Sequence, residues 1–528
     1  MYAPAPDIAA FPWKSKDRGI DMDLVQLFLE AWENSDDSPC VIDEGIKLSL
    51  PEIGRRALML ARRIHSEERN EQPFIAILLP NSAHFATAFW AALLTGKTAM
   101  PLNFMLKPAE FLPLFEHTRS SLLLAHSLFK PLVQALNSSI HPPLNAIYLD
   151  EFPWEGEGKL KPSPDNAHIA IPSDPHRHAV LLFTAGTSAA PKAVLLSHQN
   201  LVSNMEGCQE VLQTGKEDAF LGILPFFHSF GLTTSFLLPM LKGSRIALLR
   251  VIQPQTIAET IHKERITALI MVPSLFGIVA KFPGIRHADF SSVRMTISGG
   301  GPLSPSLEQA FPVLTGIRIY NGYGLTEASP VVSVNTREQY KMGSIGPPLF
   351  NVSVSVHGEN GAPLPTGQIG EFYVKGDNVM KGYLGLENET REAITPEGML
   401  RTGDMGYVDQ EGYLFITGRK KELIICGGEN VHPLEIENAL ASHPDVEEAV
   451  VIGVADSLRG EHPRAFVKLR EGQTASVSDL RRFARTILAP FKVPREFVFV
   501  PDFPRNSLGK ILKRELLQLI NKNEKGGG

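Results

Sequence analysis

The chain has 528 residues, three to four times the usual domain length of about 150, so it should fold as more than one unit. Apolar residues make up 43% and charged residues 20% of the sequence, which excludes a largely disordered chain. The formal charge is −6 and no block of like charges occurs, so the composition argues against a nucleic-acid partner.

The cysteine pattern and the N-terminal sequence indicate in which cellular compartment the protein is expected. Cys40, Cys208 and Cys426 are far apart and form no CxxC pair, so they predict neither a disulfide framework nor a zinc site. This pattern favours a reducing compartment. The N-terminus lacks the pattern of a signal peptide, and no apolar run approaches the roughly 18 residues that span a bilayer. We therefore predict a cytoplasmic protein without an integral membrane segment.

From Phe74 onward, short apolar runs alternate with amphipathic stretches of helical length, the first of them from His84 to Leu94. The runs are FIAILL, AVLLF, FLGIL, RIALL, TALIMV, VRMTIS and IRIY. Continuous apolar runs are typical of parallel strands that are buried on both faces. The pattern predicts an α/β fold with parallel sheets covered by helices.

The composition and the hydrophobic pattern change in the second half of the chain. The segment from Gly343 to Gly412 is rich in Gly and Pro and contains the alternating runs VSVSV and EFYV, so it predicts a β-rich antiparallel subdomain. After Gly418, the charged string RKKE precedes a smaller pattern of short strands with helices predicted over 433–442 and 476–488. We predict a large N-terminal domain over residues 1–417 and a small, mobile C-terminal α+β domain over 418–528.

A loop that follows the run AVLLF is the first candidate for chemistry. Backbone N–H groups, hydroxyls and a lysine gathered in a tight loop after a strand are what a polyphosphate requires. The loop alone is equally typical of an ordinary turn with a solvated lysine. The candidate phosphate-binding residues are Thr184, Gly186, Thr187, Ser188 and Lys192.

The stretch FTAGTSAAPKAVLLSH resembles the phosphate-binding signature of adenylate-forming enzymes, the superfamily of acyl-CoA synthetases, luciferases and peptide-synthetase adenylation domains. Four further motifs follow in the family's order, and the resemblance covers nearly the whole chain. They are NGYGLTE at 321–327, RTGD at 401–404, GRKKELIICGGENVHPLEIE at 418–437 and PRNSLGK at 504–510. The resemblance implies a large N-terminal domain with two doubly wound sheets and a β-rich subdomain.

The resemblance implies a ligase reaction in two steps. A carboxylic acid attacks the α-phosphorus of ATP to give acyl-AMP and pyrophosphate, and a thiol then displaces AMP. The implied cofactors are ATP, Mg²⁺ and CoA, or the phosphopantetheine of acyl carrier protein in place of CoA. By motif match, catalysis would rest on Lys510, Glu327, Thr326 and His228, with Glu327 as the metal ligand.

The resemblance also implies a nucleotide site and an acceptor channel. Tyr323 would offer a flat face to adenine, Asp404 would accept hydrogen bonds from the ribose, and Arg419 would contact ribose or phosphate. Lys421 matches the hinge between the domains, and Gly427 and Gly428 would leave room for the thiol arm. The other implied ATP- or AMP-binding residues are Gly299, Gly300, Gly301, Pro302, Asn321, Gly322 and Gly324.

Three alanines depart from the family pattern. Ala185, Ala189 and Ala193 stand where the family usually has glycine or serine, and alanine resists positive φ and close backbone approach. The departure predicts a stiffer loop and raises an alternative, a nucleotide-binding homologue with impaired catalysis. A luciferase-like oxygenase would share the motifs as well.

The acid and the acceptor are predicted from the segment around His228. Amino-acid-activating relatives commonly have an acidic residue near this point, whereas FFHSFGL has none, which favours an apolar acid. FHSFGLT and GLTEASPVVSVN resemble fatty-acyl ligases, so we predict a medium- or long-chain fatty acid–CoA ligase, with a fatty acid–acyl carrier protein ligase as the alternative. A fatty-acid substrate allows transient membrane contact, but no basic amphipathic helix predicts an anchor.

Overall fold

The computed structural model describes residues 23–67, 73–154, 174–184, 191–426, 429–456, 460–505, 509, 511–513 and 515–516. The helices are α1 (Leu24–Glu33), α2 (Leu50–Glu67), α3 (Ala83–Leu94), α4 (Pro108–Thr118), α5 (Lys130–Asn137), α6 (His198–Leu212), α7 (Leu238–Leu241), α8 (Pro254–Lys263), α9 (Pro273–Ala280), α10 (Pro305–Thr315), α11 (Glu387–Ala393), α12 (Pro433–Ala441) and α13 (Val477–Ile487).

The strands of the first half of the chain are β1 (Pro39–Asp43), β2 (Ile46–Ser49), β3 (Phe74–Leu78), β4 (Thr98–Pro101), β5 (Leu122–Ala125), β6 (Asn145–Tyr148), β7 (His178–Thr184), β8 (Lys192–Ser197), β9 (Ala219–Gly222), β10 (Arg245–Leu248) and β11 (Ala268–Met271). Those of the second half are β12 (Met295–Ser298), β13 (Tyr320–Gly324), β14 (Val331–Val334), β15 (Ser353–His357), β16 (Gly370–Lys375), β17 (Gly382–Tyr383), β18 (Leu400–Val408), β19 (Leu414–Arg419), β20 (Ile424–Cys426), β21 (Glu429–Val431), β22 (Val446–Asp456), β23 (Gly460–Leu469) and β24 (Glu496–Phe499).

Two large mixed sheets form the N-terminal part of the molecule. The first has the order β14-β13-β12-β11-β9-β10-β1-β2, and the second has the order β17-β8-β7-β4-β3-β5-β6. Their central strands are parallel, while the β1–β2, β13–β14 and β7–β8 pairs are antiparallel. The predicted α/β class with two large helix-covered sheets is confirmed.

Helix α3 joins the two large sheets. Every residue of α3 except His84 is buried, which is expected of a helix that is apolar on all sides. The helix contacts β3 and β4 of the second sheet as well as β1 of the first. The Trp90 ring stacks on Phe28 of α1 at a centroid distance of 4.0 Å. The resulting core is continuous between the sheets.

Two smaller sheets follow. Strands β15, β16, β18 and β19 form an antiparallel sheet, as the Gly- and Pro-rich texture of 343–412 predicts. The last sheet has the order β21-β20-β23-β22, with β24 beside β23, and its own core includes residues of α12 and α13. Both helices lie within one residue of their predicted bounds. Among the helices in the described ranges, none is long and apolar enough to cross a membrane.

Candidate active site

The predicted nucleotide-binding residues 299–302 and the NGYGLTE motif lie side by side at one edge of the first sheet. Strand β12 ends at Ser298, and β13 runs parallel to it with Ser298 opposite Asn321. Loops that follow neighbouring parallel strands share an edge, where α/β sheets commonly bind ligands. Gly299 follows Ser298, and a Cβ at this position would lie 2.9 Å from the Phe230 ring. A larger residue at position 299 would therefore displace Phe230.

Tyr323, Asp404 and Arg419 form a polar cluster in which Tyr323 and Asp404 are buried and Arg419 is exposed. The Tyr323 hydroxyl donates to Asp404 Oδ2 at 2.6 Å, and Arg419 Nε lies 2.9 Å from Asp404 Oδ1. Asp404 and Arg419 are opposite each other on β18 and β19, which is why two motifs distant from Tyr323 meet it. Burial raises the pKa of Tyr323 well above its ordinary value, and Asp404 raises the pKa of Arg419. Tyr323 is thus a neutral donor and Arg419 a cation.

Two buried oxygens near this cluster have no hydrogen-bond partner in the described part of the chain. They are Asn321 Oδ1 and Ser298 Oγ, which belong to neighbouring strands. An unsatisfied buried polar atom costs about 1–3 kcal/mol. A ligand with N–H donors, such as the amine of adenine, would relieve that cost. The carboxylate of Asp404 also keeps acceptor capacity beyond its two present hydrogen bonds.

Glu327 and Lys192 are brought together by Tyr383. The Tyr383 hydroxyl donates to Glu327 Oε1 at 2.9 Å, and Lys192 Nζ lies 4.5 Å from the centroid of the Tyr383 ring. Burial, followed by the nearby Glu327 carboxylate, raises the pKa of Tyr383, so its hydroxyl stays protonated. Thr326 is adjacent, with its Oγ1 3.2 Å from the hydroxyl of Ser229. The motifs around residues 192, 229 and 327 thus meet in one place.

The predicted phosphate loop connects two antiparallel strands. Thr184 and Lys192 are opposite each other at the ends of β7 and β8. Gly186, Thr187 and Ser188 lie outside the described residues, as do Ala185 and Ala189. Ala193 lies within β8 opposite Phe183, and its side chain is fully packed in the core. Ala193 therefore belongs to a regular strand beside the loop, and its effect on the stiffness of the loop stays a prediction.

His228 lies among aromatic rings beside this cluster. Its ring is 4.5 Å from that of Phe227, which in turn makes an edge contact with Phe104 at 5.4 Å. Burial lowers the pKa of His228 to about 4, so the imidazole is neutral at physiological pH. A π-helix, Gly231–Leu237, follows it and is entirely buried. The surroundings suit an apolar group better than a charged one.

The residues present fit a magnesium ion that is shared with a substrate. Mg²⁺ prefers oxygen ligands and is commonly bound by one or two carboxylates together with substrate phosphates. Glu327 provides such a carboxylate, and Tyr383 orients it through one oxygen. Within the described ranges, no group of three or more His, Cys, Asp or Glu side chains is arranged to hold a metal ion. The donor set therefore matches an ion that arrives with ATP.

Part of the predicted site belongs to the small C-terminal unit. Lys421 lies in a short 3-10 turn, Lys420–Glu422, directly after Arg419. Gly427, Gly428 and Lys510 lie outside the described residues. Gly509 is described, and a Cβ there would collide with Ser274 Oγ at the start of α9. With φ of +73° as well, position 509 requires glycine for its close approach to the large sheets.

The fold, the ordered motifs and this cluster define an adenylate-forming enzyme, and the chain belongs to the AMP-binding enzyme family. The family model for AMP-binding enzymes matches residues 28–384, and that for the AMP-binding enzyme C-terminal domain matches residues 435–510. The protein is an acid–thiol ligase of this superfamily.

The chain is similar to several known ligases over most of its length. It is 34% identical over 515 residues to the long-chain-fatty-acid–CoA ligase of Bacillus subtilis, covering 91% of each chain. It is 32% identical to the feruloyl-CoA synthase of an Amycolatopsis species, covering 89% of this chain and 94% of the relative. The ATP-bound crystal structure of MatB from Rhodopseudomonas palustris superposes with a TM-score of 0.85 at 27% identity, covering 94% and 99% of the two chains.

Sequence reasoning missed Tyr383 and Ser229 as members of the site. Tyr383 lies in the Gly- and Pro-rich segment, where the alternating pattern indicated strands and turns alone. Strand β17 adds Tyr383 to the edge of the second sheet opposite Val194, far from the antiparallel sheet formed by its sequence neighbours. Ser229 directly follows His228 in the sequence. Its contact with the predicted site residue Thr326 is the feature that places it in the site.

Proposed function

We propose that this ligase activates a medium- or long-chain fatty acid with ATP and transfers the acyl group to CoA. The apolar acid rests on the surroundings of His228, whose pKa is lowered by burial beside the rings of Phe227 and Phe104. The similarity to the Bacillus long-chain-fatty-acid–CoA ligase supports the same acid class. The relation to a feruloyl-CoA synthase keeps aromatic acids among the substrates to be tested.

In the first step, the enzyme must hold two anions, the carboxylate of the acid and ATP, close to each other. We assign Lys192 and the hydroxyl of Thr326 to the phosphates, and Tyr323, Asp404 and Arg419 to the adenosine part. Glu327 would hold Mg²⁺, which neutralises phosphate charge when bound. Neutral His228 would border the acid without adding a charge that pairs with its carboxylate.

Lys510 would complete the first step. For the second step, the small domain would rotate and present a different face to the active site. The lysine would stabilise the charge that develops between the acid and the α-phosphate. The C–O bond to AMP then breaks as the thiol attacks the acyl carbon, and AMP leaves with the bonding electrons. We place the domain boundary at 417/418 and the hinge at Lys421, with Gly427 and Gly428 beside the thiol arm. The proposal locates the enzyme in the cytoplasm.

A competition experiment tests the acid and the acceptor together. The enzyme is given ATP, Mg²⁺, a mixture of C6 to C18 fatty acids and ferulate, with CoA and holo acyl carrier protein both present, and the products are read by mass spectrometry. Fatty acyl-CoA is the expected product. Feruloyl-CoA as the dominant product would overturn the acid assignment, and acylated carrier protein would overturn the acceptor.

The role of Lys510 has a separate test. Lys510→Ala should lower ATP–pyrophosphate exchange by at least about a hundredfold, since it removes a charge that acts in the transition state. The same variant should retain most of the rate at which supplied acyl-AMP reacts with CoA. Equal loss in the two half-reactions would contradict the assignment. Lys513 ion-pairs with Glu422 and Glu437 in the small domain, and Lys513→Ala serves as a neighbouring charge control.

A further inference from the structure

Asn335 is a buried asparagine whose amide group has four hydrogen-bond partners. It directly follows β14 and is the last residue of the stretch GLTEASPVVSVN. Its Nδ2 donates to the backbone carbonyl oxygens of Asn321, at 3.1 Å, and of Ser344, at 2.9 Å. Its Oδ1 accepts from the backbone N–H of Lys341 at 3.0 Å and lies 3.1 Å from the Ser344 hydroxyl. The amide thus uses both of its donors and both of its acceptor sites.

These partners allow only one orientation of the Asn335 amide. If the amide were turned over, Oδ1 would face two carbonyl oxygens and Nδ2 would face the N–H group of Lys341. Each of those contacts is repulsive. The backbone N–H of Asn335 also donates to the Asn321 carbonyl at 2.9 Å, which fixes the position of the residue beside β13. The buried amide of Asn335 is therefore a rigid reference for the groups around it.

The same contacts orient the amide of Asn321. Asn321 Nδ2 lies 3.4 Å from the Ser344 carbonyl oxygen, which also accepts from Asn335. A reversed Asn321 amide would place oxygen against oxygen there, so its Oδ1 points to the other side. Oδ1 is buried and has no hydrogen-bond partner among the described residues. Because Asn321 is opposite Ser298, directly before the predicted nucleotide-binding residues 299–302, this oxygen is an acceptor held ready for a ligand at that edge of the sheet.

The segment from Lys341 to Ile345 is attached to the sheet that contains β18 and β19. Lys341 Nζ ion-pairs with Asp409 in the turn between those two strands. The backbone N–H of Ile345 donates to the carbonyl oxygen of Leu414, at the start of β19, at 2.9 Å. Strand β18 also carries Asp404, which is assigned to the adenosine part of ATP. One set of contacts therefore sets the spacing between the Asn321 amide and the residue assigned to the ribose.

We propose that Asn335 is a positioning residue through which the enzyme selects a purine nucleotide with an amino group at C6, an inference that rests on the adenosine site of the proposed function. Asn335 holds the Asn321 amide with its oxygen toward the base. The amino group of adenine donates to this oxygen. A purine with an oxygen at C6 would bring a second acceptor against it and leave two buried oxygens without a donor. Asn335 thus controls selectivity without touching the nucleotide.

Asn335→Ala tests this role through nucleotide selectivity. ATP is compared with inosine triphosphate (ITP), which has an oxygen at C6, by the release of nucleoside monophosphate in the presence of acid and CoA. The variant frees the Asn321 amide to turn its N–H group toward that oxygen, so the ratio of kcat/KM for ATP to that for ITP should fall at least about tenfold. Ser344→Ala removes the hydroxyl contact to Asn335 but keeps the backbone carbonyl, and it should lower the ratio about two- to threefold.

Asn351→Ala is the matched control. This asparagine donates from Nδ2 to the backbone carbonyl of Ser203 in α6 at 2.7 Å, and neither residue is assigned to the nucleotide. The control should lower stability but leave the ATP-to-ITP ratio unchanged. The melting temperature of each variant shows whether it is folded, and Ser344→Ala decides the question if Asn335→Ala is not.

Two results would overturn the inference. One is an unchanged ATP-to-ITP ratio in the folded variants at positions 335 and 344, which would indicate a structural role alone. The other is wild-type enzyme that binds ATP and ITP with equal dissociation constants in the presence of Mg²⁺, since Asn321 Oδ1 would then not face the base. The binding measurement needs no acid. Wild-type enzyme that binds ATP in preference to ITP but forms no acyl-CoA from any acid would refute the proposed function and leave the inference intact.

Discussion

Tyr383 shows how one side chain can join two motifs that are distant in sequence. Its hydroxyl contacts the Glu327 carboxylate, and its ring lies beneath the Lys192 ammonium. The hydroxyl occupies one carboxylate oxygen and leaves the other for a ligand. The ring holds the lysine without neutralising it, since a cation over an aromatic face keeps its charge. Tyr383 is thus a positioning residue for both groups.

Tyr383→Phe should weaken the response to magnesium. The variant keeps the ring under Lys192 but loses the hydrogen bond that orients Glu327, which is worth about 1.5 kcal/mol at the lower end of the range for a charged acceptor. We expect the Mg²⁺ concentration for half-maximal ATP–pyrophosphate exchange to rise about five- to tenfold. Tyr413→Phe is the control, because Lys341 likewise lies over that ring, 5.5 Å away, outside the active-site cluster. An unchanged magnesium response would refute the positioning role.

His228 should make stability depend on pH. Its pKa is about 4 in the folded chain against 6.5 when unperturbed, so between these values the unfolded chain binds more protons. The free energy of unfolding therefore rises with pH through this window. Relative to wild type, His228→Gln should be more stable at pH 4.5 than at pH 7.5, as measured by urea denaturation. A difference that is the same at both pH values would contradict the low pKa.

At the scale of elements, the pairing of β7 with β8 fixes the two residues that flank the predicted phosphate loop. The loop residues are bounded by Thr184 and Lys192, which face each other across an antiparallel pair rather than leading from a strand into a helix. Strand β17 continues the sheet on the other side of β8 and carries Tyr383 to the same end. The backbone of two strands thus sets the position of Lys192.

Ala193→Gly should destabilise the protein without improving catalysis. Glycine inside a strand costs about 0.5–1 kcal/mol through backbone entropy, and the buried methyl group of Ala193 would be lost as well. We expect the melting temperature to fall by a few degrees, with pyrophosphate exchange unchanged at 25 °C. Faster exchange in this variant would show that the alanine does restrain the loop.

At the scale of the whole molecule, α9 is one of the contacts between the two parts of the chain. Gly509 approaches Ser274 in its first turn, and Lys281, just past its end, lies 2.6 Å from Glu447 of β22. Lys281 is 63% exposed, whereas Glu447 is 20% exposed and also contacts Lys468. One helix therefore meets the small domain at both ends in this arrangement.

Lys281→Glu should shift the balance between the two half-reactions. The change replaces an attraction with a repulsion at an exposed contact, where a pair is worth up to about 1 kcal/mol. We expect pyrophosphate exchange to fall up to about fivefold while the reaction of supplied acyl-AMP with CoA is unchanged or faster. Lys263→Glu, at an exposed lysine beside Glu264 in α8, controls for net charge. A parallel fall in both rates would argue against a role in domain arrangement.

Local patterns were enough to predict the class of fold, about half of the strands and the helices of the small domain. Buried parallel strands such as Phe74–Leu78 need continuous apolar residues, and amphipathic helices such as Val477–Ile487 need apolar residues with a 3.6-residue period. Both elements can therefore be predicted from a short stretch of sequence. Several motif residues of the described part lie close together, because their motifs lie in strands that pair or at the ends of such strands; the roles assigned to them stay predictions.

The pairing of strands that are far apart in the sequence could not be predicted from local patterns. Strand β1 joins β10, about two hundred residues later, and Tyr383 reaches Glu327 only because β17 pairs with β8. The sequence near β1 or near Tyr383 does not specify the partner, because these contacts depend on how whole sheets pack around α3. Composition and motif therefore indicate the reaction class, and the packing of distant strands sets the contacts that position its residues.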